Sequence, residues 1–241
     1  MQAFILAAGL GTRLQPLTNT LPKALVEVQG MPLIKIAINN LVRQGATRIV
    51  VNIHHFADKL LAYIKSTPWD AEILISDERE MLLDTGGGLK KAAPLFLPNE
   101  PILVHNVDIL TRIDFAKMIQ QHTDSMNLAT LAVSLRDTSR QLLFDTQHQL
   151  SGWQNSTTGE TKWVQHPLTN CEQKAFSGIA VVNPEMLAML PPADHPYSII
   201  PAYLELAKNH RIKYFEHSAD DWLDVGKPET LQRAQSWNLN A

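Results

Sequence analysis

The chain has 241 residues, of which 45% are hydrophobic and 19% are charged, and its formal net charge is −3. This length and apolar content suffice for one large or two small globular domains and exclude a disordered chain. The negative charge argues against a non-specific nucleic-acid binder, whose affinity requires a strong positive surplus. A single cysteine, no signal-peptide pattern and no apolar run of membrane-spanning length lead us to expect a cytoplasmic protein without a membrane partner.

The first half of the chain alternates short apolar runs with segments of helical periodicity. Strands are predicted at residues 4–7, 48–53, 72–76, 102–106 and 128–135, and helices at residues 33–42, 57–65 and 115–122. Strands that alternate with helices at this spacing predict a mostly parallel sheet with right-handed crossovers. The ligands of such sheets bind beyond the carboxyl ends of the strands.

A glycine-rich loop follows the first predicted strand. Gly9 and Gly11 lack side chains, so the backbone can turn sharply there and bring its N–H groups close to an anion. Arg13 and Lys23 follow and supply positive charge. The segment lacks the P-loop pattern G-x-x-x-x-G-K-[ST] and the third glycine of the dinucleotide fingerprint G-x-G-x-x-G. The arginine in this loop instead predicts a phosphate-binding loop suited to a triphosphate.

A second glycine-rich segment comes after the third predicted strand. Gly86, Gly87 and Gly88 are predicted to form a loop that leads into a helix, with Asp84 or Thr85 as the N-terminal cap. This segment does not match the P-loop pattern either.

The pattern changes from about Ser139. Short apolar pieces at residues 142–144 and 150–153, followed by a turn-rich loop at residues 155–161, predict a hairpin or a small mixed region, and residues 175–182 predict a core strand. The further predicted elements are a helix that begins at Pro184, a helix at 198–208, strands at 212–215 and from 222, and a closing helix at 229–237. No linker or internal repeat is visible, so we expect residues 1–241 to form one domain.

The opening segment resembles the signature G-x-G-T-R-x-x-P-x-T…P-K of the sugar-1-phosphate nucleotidyltransferases. The matching residues are Gly9, Gly11, Thr12, Arg13, Pro16, Thr18, Pro22 and Lys23. Residues 84–88, 106–108, 176–178 and 222–228 also fall in the family order, so the resemblance covers most of the chain. The chain is most similar to the short members, the mannose-1-phosphate guanylyltransferases and the N-acetylmuramate-1-phosphate uridylyltransferases.

The resemblance implies a Rossmann-like, mostly parallel mixed sheet in a three-layer α/β/α nucleotidyltransferase fold. Residues 1–135 would form the NTP-binding core, and residues 136–241 the part that binds the sugar phosphate. The implied reaction converts an NTP and a sugar 1-phosphate into an NDP-sugar and pyrophosphate, by in-line attack on the α-phosphorus with Mg²⁺. No nucleic-acid partner is implied.

The resemblance also assigns the charged residues. Arg13 would hold the β- and γ-phosphates and stabilise the leaving group, and Lys23 would bridge the α-phosphate and the sugar phosphate. Asp108 and Asp224 would ligate Mg²⁺, which takes one or two carboxylates and completes its octahedron with water and phosphate oxygens.

The remaining site residues are mostly small. The expected nucleotide-binding residues are Ala7, Ala8, Gly9, Gly11, Thr12, Gly86 and Gly87, the last two against the nucleobase. Ser177 and Gly178 are expected beside the sugar ring, and Trp222 either packs in the interior or walls the cleft. Glu160 and Lys162 are a second sugar-side candidate, with a solvated loop as the alternative. No Cys/His spacing supports a zinc site at His54, His55 or His105.

Two departures from the family pattern leave alternatives open. Val107 stands before Asp108 where many relatives have glycine, and it would be strained if the backbone there needed a positive φ; we expect an ordinary φ. The Glu-Lys-Pro segment that many relatives use on the sugar phosphate is missing. The alternatives are transfer to another phosphate monoester such as phosphocholine, or a non-catalytic nucleotide-sugar-binding regulatory subunit. The nucleobase, the sugar and the oligomeric state stay open.

Overall fold

The computed structural model describes residues 1–218 and 221–239. Its strands are β1 Gln2–Leu6, β2 Glu27–Val28, β3 Met31–Pro32, β4 Arg48–Ile53, β5 Glu72–Asp77, β6 Ile102–Asn106, β7 Ile109–Thr111, β8 Ala129–Ser134, β9 Arg140–Phe144, β10 Leu150–Asn155, β11 Glu160–Trp163, β12 Glu172–Val182, β13 Ile212–Glu216 and β14 Trp222–Asp224. Its α-helices are α1 Leu33–Arg43, α2 Ala57–Ser66, α3 Asp84–Ala92, α4 Phe115–Asp124, α5 Pro184–Met189, α6 Ile199–Leu206 and α7 Pro228–Ala234.

Ten of these strands form one mixed sheet, in the order β11-β10-β9-β12-β6-β1-β4-β5, with β8 joining β12 to β13. The strands β6, β1, β4 and β5 run parallel to one another, which confirms the predicted parallel core. The long strand β12 is antiparallel to β6, β8 and β9, so it connects the first half of the chain to the second. Two short ribbons, β2–β3 and β7–β14, lie outside the sheet.

Helices cover both faces of the sheet, as the predicted three-layer α/β/α fold requires. Alternate strand residues point to opposite faces, so Ile5 joins the apolar cluster under α1, α2, α4 and α7, whereas Phe4 joins the cluster under α3, α5 and α6. Central strands such as β4 are therefore apolar on both faces, which explains their continuous β-branched runs.

The predicted elements of the first half are confirmed with shifts of one or two residues at their ends. The second half differs more. Strand β12 begins three residues earlier than predicted, and β11 occupies part of the predicted turn-rich loop. The closing helix α7 ends at Ala234 rather than at residue 237. The short strands β2, β3 and β7 carry too few residues to show a periodicity, which is why the sequence did not predict them.

The second glycine-rich segment is not a loop. Gly86, Gly87 and Gly88 lie inside α3, which begins at Asp84, and the N-cap position is Leu83 without a side-chain hydrogen bond. Glycine disfavours helices by about 1 kcal/mol relative to alanine, so three in a row predicted a loop. Close packing against α3 outweighs that preference.

None of the helices in the two described ranges combines the length and the apolar character that a membrane span requires.

Candidate active site

A cleft of about 470 Å³ opens at the carboxyl ends of β1, β4 and β6. This is where parallel α/β sheets bind their ligands, and the volume lies within the usual range for small-molecule sites. Its lining combines apolar, amide and charged residues: Leu6, Ala8, Gly9, Arg13, Lys23, Asn52, Leu82, Asp84, Thr85, Asn106, Asp108 and Pro196.

The loop after β1 folds back on itself so that its cations face this cleft. Gly11 has a φ of 66°, and a Cβ there would lie 2.9 Å from Thr18 Cγ2 and 3.0 Å from Lys23 Cβ. The hydroxyl of Thr18 donates a hydrogen bond to the carbonyl of Gly11 at 2.8 Å. Only glycine permits both this turn and this close approach. As a result, Arg13 and Lys23 both line the cleft.

The ribbon β7–β14 brings the two predicted metal ligands together. Asp108 immediately precedes β7, Asp224 ends β14, and Asp224 lies opposite Ile109 in the ribbon. The N–H of Val225 donates to the carbonyl of Asp108 at 2.9 Å. The sequence separates these aspartates by more than a hundred residues, and the antiparallel pairing places them side by side.

Each of these carboxylates faces a cation. Lys23 Nζ lies 2.8 Å from Asp108 Oδ2, and these side chains are only 16% and 7% exposed. Arg13 Nη2 lies 3.7 Å from Asp224 Oδ2. A Cβ on Gly226 would lie 2.6 Å from Arg13 Nη2, 2.8 Å from Asp224 Oδ1 and 2.9 Å from Asp108 Oδ2. The structure therefore brings all four predicted charged residues to one point at the edge of the cleft.

The donor set fits a magnesium ion better than a softer metal. Asp108 and Asp224 offer carboxylate oxygens, which hard cations prefer, and Mg²⁺ fills its other positions with water and phosphate oxygens. Within residues 1–218 and 221–239, no three His, Cys, Asp or Glu side chains cluster closely enough to form a closed protein cage. An ion at the two aspartates would therefore remain open to a phosphate ligand.

Sequence reasoning missed a buried polar network behind the opening loop. The N–H groups of Ala7 and Ala8 donate to Asn52 Oδ1 at 2.6 and 3.1 Å, and Asn52 Nδ2 donates to Glu78 Oε1 at 2.7 Å. The N–H of Leu83 donates to Glu78 Oε2 at 3.1 Å. The only signal was a polar Asn52 in an otherwise apolar buried strand.

This network ties the opening loop to the segment before α3. Glu78 is fully buried, and burial raises the pKa of its carboxyl, while hydrogen bonds from Asn52 and Leu83 counteract the rise. Asn52 accepts hydrogen bonds from the N–H groups of Ala7 and Ala8 and thereby fixes the backbone of these two alanines at the cleft wall. Ala8 and Gly9 line the cleft, whereas Ala7, Gly11 and Thr12 lie outside its lining.

Gly86 and Gly87 lie behind the cleft wall. The Gly86 N–H donates to the carbonyl of Tyr197 at 2.9 Å, and a Cβ on Gly86 would lie 2.5 Å from Cδ2 of the Tyr197 ring. Asp84 and Thr85 line the cleft instead. The glycines of α3 therefore allow the Tyr197 segment to pack closely, and their contact with a nucleobase stays a prediction.

The sugar-side candidates lie on a bulge of β12. Gly178 has a φ of 72°, and a Cβ there would lie 2.6 Å from Nδ2 of Asn106, which lines the cleft. Ser177 is fully buried beside it. In contrast, Glu160 and Lys162 form an ion pair of 3.2 Å on β11 at the outer edge of the sheet, outside the cleft lining.

Val107 does not strain the backbone. Its φ is not among the positive values in the described chain, its N–H donates to the carbonyl of Leu6 at 3.2 Å, and its side chain is fully buried in the core. The expected ordinary φ is confirmed. Valine thus continues the pairing of β6 with β1 up to Asp108.

The histidines considered as metal ligands and Trp222 make structural contacts. His54 Nδ1 lies 2.7 Å from the carbonyl of Glu78. His105 is buried beneath the cleft, packs edge-on against Phe115 with ring centroids 6.0 Å apart, and has its pKa lowered to about 4 by burial. Trp222 donates from its indole N–H to a backbone carbonyl at 2.7 Å, in agreement with a packing role.

Comparison with known proteins identifies the family of this chain. The family model described as "Nucleotidyl transferase" matches residues 2–240. The N-acetylmuramate alpha-1-phosphate uridylyltransferase of Caulobacter vibrioides is 32% identical over 239 residues, covering 97% of this chain and 95% of that protein. The mannose-1-phosphate guanyltransferase of Aspergillus oryzae is 28% identical, covering 95% of this chain and 62% of that protein.

Solved structures show the same fold at lower identity. HddC from Yersinia pseudotuberculosis superposes with a TM-score of 0.75 at 22% identity, covering 97% of each chain. A candidate glucose-1-phosphate thymidylyltransferase from Bacillus anthracis superposes with a TM-score of 0.80 at 19% identity, covering 100% of this chain and 96% of the other. Since the family model spans almost the whole chain and the fold agrees, the chain belongs to the nucleotidyl transferase family of enzymes.

Proposed function

We propose that this enzyme transfers a nucleotidyl group from an NTP to a sugar 1-phosphate and releases pyrophosphate. The observation that carries the proposal is the convergence of Arg13, Lys23, Asp108 and Asp224 at the edge of the cleft. Two cations opposite two carboxylates suit a reaction between two polyanions, because the site must both hold phosphates and bind a neutralising metal.

The sugar phosphate itself supplies the nucleophile. The second pKa of a phosphate monoester is about 6, so the attacking oxygen is already anionic at neutral pH and no protein base is required. Lys23 would hold the sugar phosphate beside the α-phosphate, and Arg13 would neutralise the charge that builds on the leaving pyrophosphate. The main task of the site is to align the two substrates for in-line attack.

Asp108 and Asp224 would hold Mg²⁺, which neutralises phosphate charge when it is bound. The 2.8 Å contact between Lys23 and Asp108 places the proposed substrate cation next to a proposed metal ligand. Lys23 would thus be placed to contact a phosphate oxygen, and Asp108 would be one of the residues that hold the metal.

The two halves of the chain would divide the recognition. Residues 1–135 would bind the nucleotide, with the base against the wall formed by Leu82, Asp84 and Thr85 and with Gly86 and Gly87 behind it; Pro196 of the second part also lines the cleft there. Residues 136–241 would bind the sugar through Ser177 and Gly178. We propose that both parts form one domain, because β12 pairs with strands of both, and that the enzyme is cytoplasmic.

The relatives leave the substrate pair to experiment. The name of one relative specifies uridylyl transfer to N-acetylmuramate 1-phosphate, and the name of the other specifies guanylyl transfer to mannose 1-phosphate. The alternatives are phosphocholine as acceptor and a regulatory subunit without turnover. The retention of both cations and both carboxylates argues against the regulatory alternative.

A substrate grid tests the proposal. Pyrophosphate release is measured with each of the four common NTPs against several sugar 1-phosphates and phosphocholine, with Mg²⁺ present. We expect one NTP and one sugar phosphate to give the highest kcat/KM. Turnover with phosphocholine alone would show that the acceptor is phosphocholine and not a sugar 1-phosphate. The absence of turnover with every pair would overturn the proposal.

A further inference from the structure

The bulge in β12 interrupts the main-chain pairing beside the sugar-side residues. The register of β12 against β8 shifts between Phe176 and Ala180, and Gly178 within this interval has a φ of 72°. A bulge leaves residues unpaired in the ladder. Groups from outside the ladder must therefore fix the position of this segment.

The guanidinium of Arg136 supplies that connection. Its Nη1 donates to Ser134 Oγ at 2.9 Å and to Ser177 Oγ at 3.0 Å, and its Nη2 donates to the carbonyl of Phe176 at 2.5 Å. Arg136 thus joins the end of β8 to the bulge with three hydrogen bonds. A lysine could not make this set of contacts, since it lacks the planar fork of donors.

The same guanidinium also contacts the strand that carries a proposed metal ligand. Its Cζ lies 3.9 Å from the ring centroid of Trp222, and the Trp222 indole N–H donates to the carbonyl of Ser177 at 2.7 Å. Trp222 begins β14, and Asp224 ends it. Burial lowers the pKa of Arg136, and the negative charge of Asp224 counteracts this decrease. The charges of Arg136 and Asp224 therefore interact.

His217, which directly follows β13, completes the cluster. Its Nε2 lies 2.8 Å from Ser177 Oγ, and its Nδ1 lies 2.7 Å from the carbonyl of Ser218. Burial lowers the pKa of His217 first, and Arg136 lowers it further, which favours the neutral ring. A neutral ring that donates from Nδ1 can accept a hydrogen bond from the Ser177 hydroxyl at Nε2. The serine oxygen then remains free to accept a hydrogen bond from Arg136.

We propose that Arg136 is a positioning residue that fixes the sugar-facing bulge of β12 and the metal-binding end of β14 in one arrangement. The inference rests on the proposed function, because it concerns the sugar and metal sides of that site. Groups that orient metal ligands typically change metal affinity or activity by about 10-fold to 100-fold when they are removed. The proposal therefore predicts that removing Arg136 weakens the binding of the sugar phosphate and of the metal more than the binding of the NTP.

The test compares Arg136→Met with the control Arg140→Met, in which an exposed arginine of the adjacent β9 is changed. For Arg136→Met we expect the KM for the sugar phosphate and the dissociation constant of Mn²⁺ each to rise at least about 10-fold, with the KM for the NTP changed less than about 3-fold. Mn²⁺ binding is followed by electron paramagnetic resonance in the presence of a non-hydrolysable NTP analogue. The control should match the wild type in all three.

A lower unfolding temperature with equal changes in both KM values, or unchanged Mn²⁺ binding, would overturn the proposal. If Arg136→Met does not fold, Trp222→Phe replaces it, because phenylalanine keeps a ring but loses the indole N–H donor to Ser177; the same selective losses are expected. If the wild type turns over no substrate pair, the proposed function fails, and the Mn²⁺ measurement alone then decides the role of Arg136.

Discussion

At the scale of single residues, Lys23 and Asp108 are the closest pair of opposite charges in the cleft. Their 2.8 Å contact is mostly hidden from solvent. Charges in such a place interact more strongly than at an open surface, where solvent screens them. In the proposed function, a substrate phosphate that enters beside them would therefore meet a cation already held in position.

Lys23→Met should lower kcat at least about 100-fold, because the change removes a charge that we propose to act on the phosphates during transfer. The measurement is steady-state pyrophosphate release with the best substrate pair. Lys65→Met, at an exposed position in the last turn of α2, is the matched control and should retain full activity. Full activity of Lys23→Met in a folded protein would contradict the assigned role.

We expect His105 to make the stability of the protein depend on pH. Its pKa is lowered from 6.5 to about 4 by burial, so between these values the unfolded chain binds a proton there and the native protein does not. The free energy of unfolding should therefore fall as the pH falls through this interval, by up to about 1.4 kcal/mol per pH unit, and level off below the native pKa.

The variant His105→Leu removes this titration and places an apolar side chain of similar size at the buried position. Urea denaturation at about pH 7.5 and about pH 5 should show a smaller loss of stability for the variant than for the wild type. His122 and His217, whose pKa values are also lowered, contribute equally to both proteins. An identical pH dependence would show that His105 is not held neutral.

Residues close together in the sequence were the easiest to assign. Arg13 and Lys23 belong to one short motif, and the structure places both in the cleft. The network of Asn52 and Glu78 could not be predicted, because Asn52 in β4 meets the opening loop and Glu78, which follows β5, only in the folded chain. A buried carboxylate leaves no local pattern that distinguishes it from a surface one.

At the scale of elements, α3 shows how packing can override local preference. Gly86 lies against the Tyr197 ring, and Gly88 lies against the Glu78 carboxylate, where a Cβ would be 2.7 Å from Oε1. Strand and helix periodicity predicted most other elements, because buried faces repeat regularly along the chain. Periodicity cannot predict that an aromatic ring from a distant part of the sequence will pack on the backbone of a helix.

Gly86→Ala should destabilise the protein by about 1–3 kcal/mol, because the added methyl group overlaps the Tyr197 ring. Helix propensity alone predicts the opposite sign, a gain of about 1 kcal/mol. Lys91→Ala changes an exposed position of the same helix to the same residue and should be nearly neutral. Chemical denaturation measures both, and a stabilised Gly86→Ala variant would refute the packing explanation.

At the scale of the whole molecule, β12 connects the two halves of the chain. It pairs with β6 from the first half and with β9 from the second, and apolar clusters cover both faces of the shared sheet. The alternation of strands and helices predicted the parallel half of this sheet. The antiparallel half was harder to predict, because its pairings are set by distant partners rather than by spacing.

The shared sheet predicts one cooperative unfolding transition. Only Trp69 lies in the first 135 residues, and the other four tryptophans lie in the second part. Fluorescence therefore reports mainly on the second part, and far-ultraviolet circular dichroism reports on the whole. The two signals should give the same midpoint in urea. Separate midpoints would indicate two independently folding units.

The central claim is that the cleft couples an NTP to a sugar 1-phosphate with Arg13, Lys23, Asp108 and Asp224. The most direct measurement quantifies NDP-sugar and pyrophosphate together over time, for the wild type and for the double variant Asp108→Asn, Asp224→Asn. We predict equal amounts of the two products from the wild type, only with Mg²⁺ present, and neither product from a folded double variant. NTP hydrolysis without NDP-sugar, or full turnover by the double variant, would contradict the account.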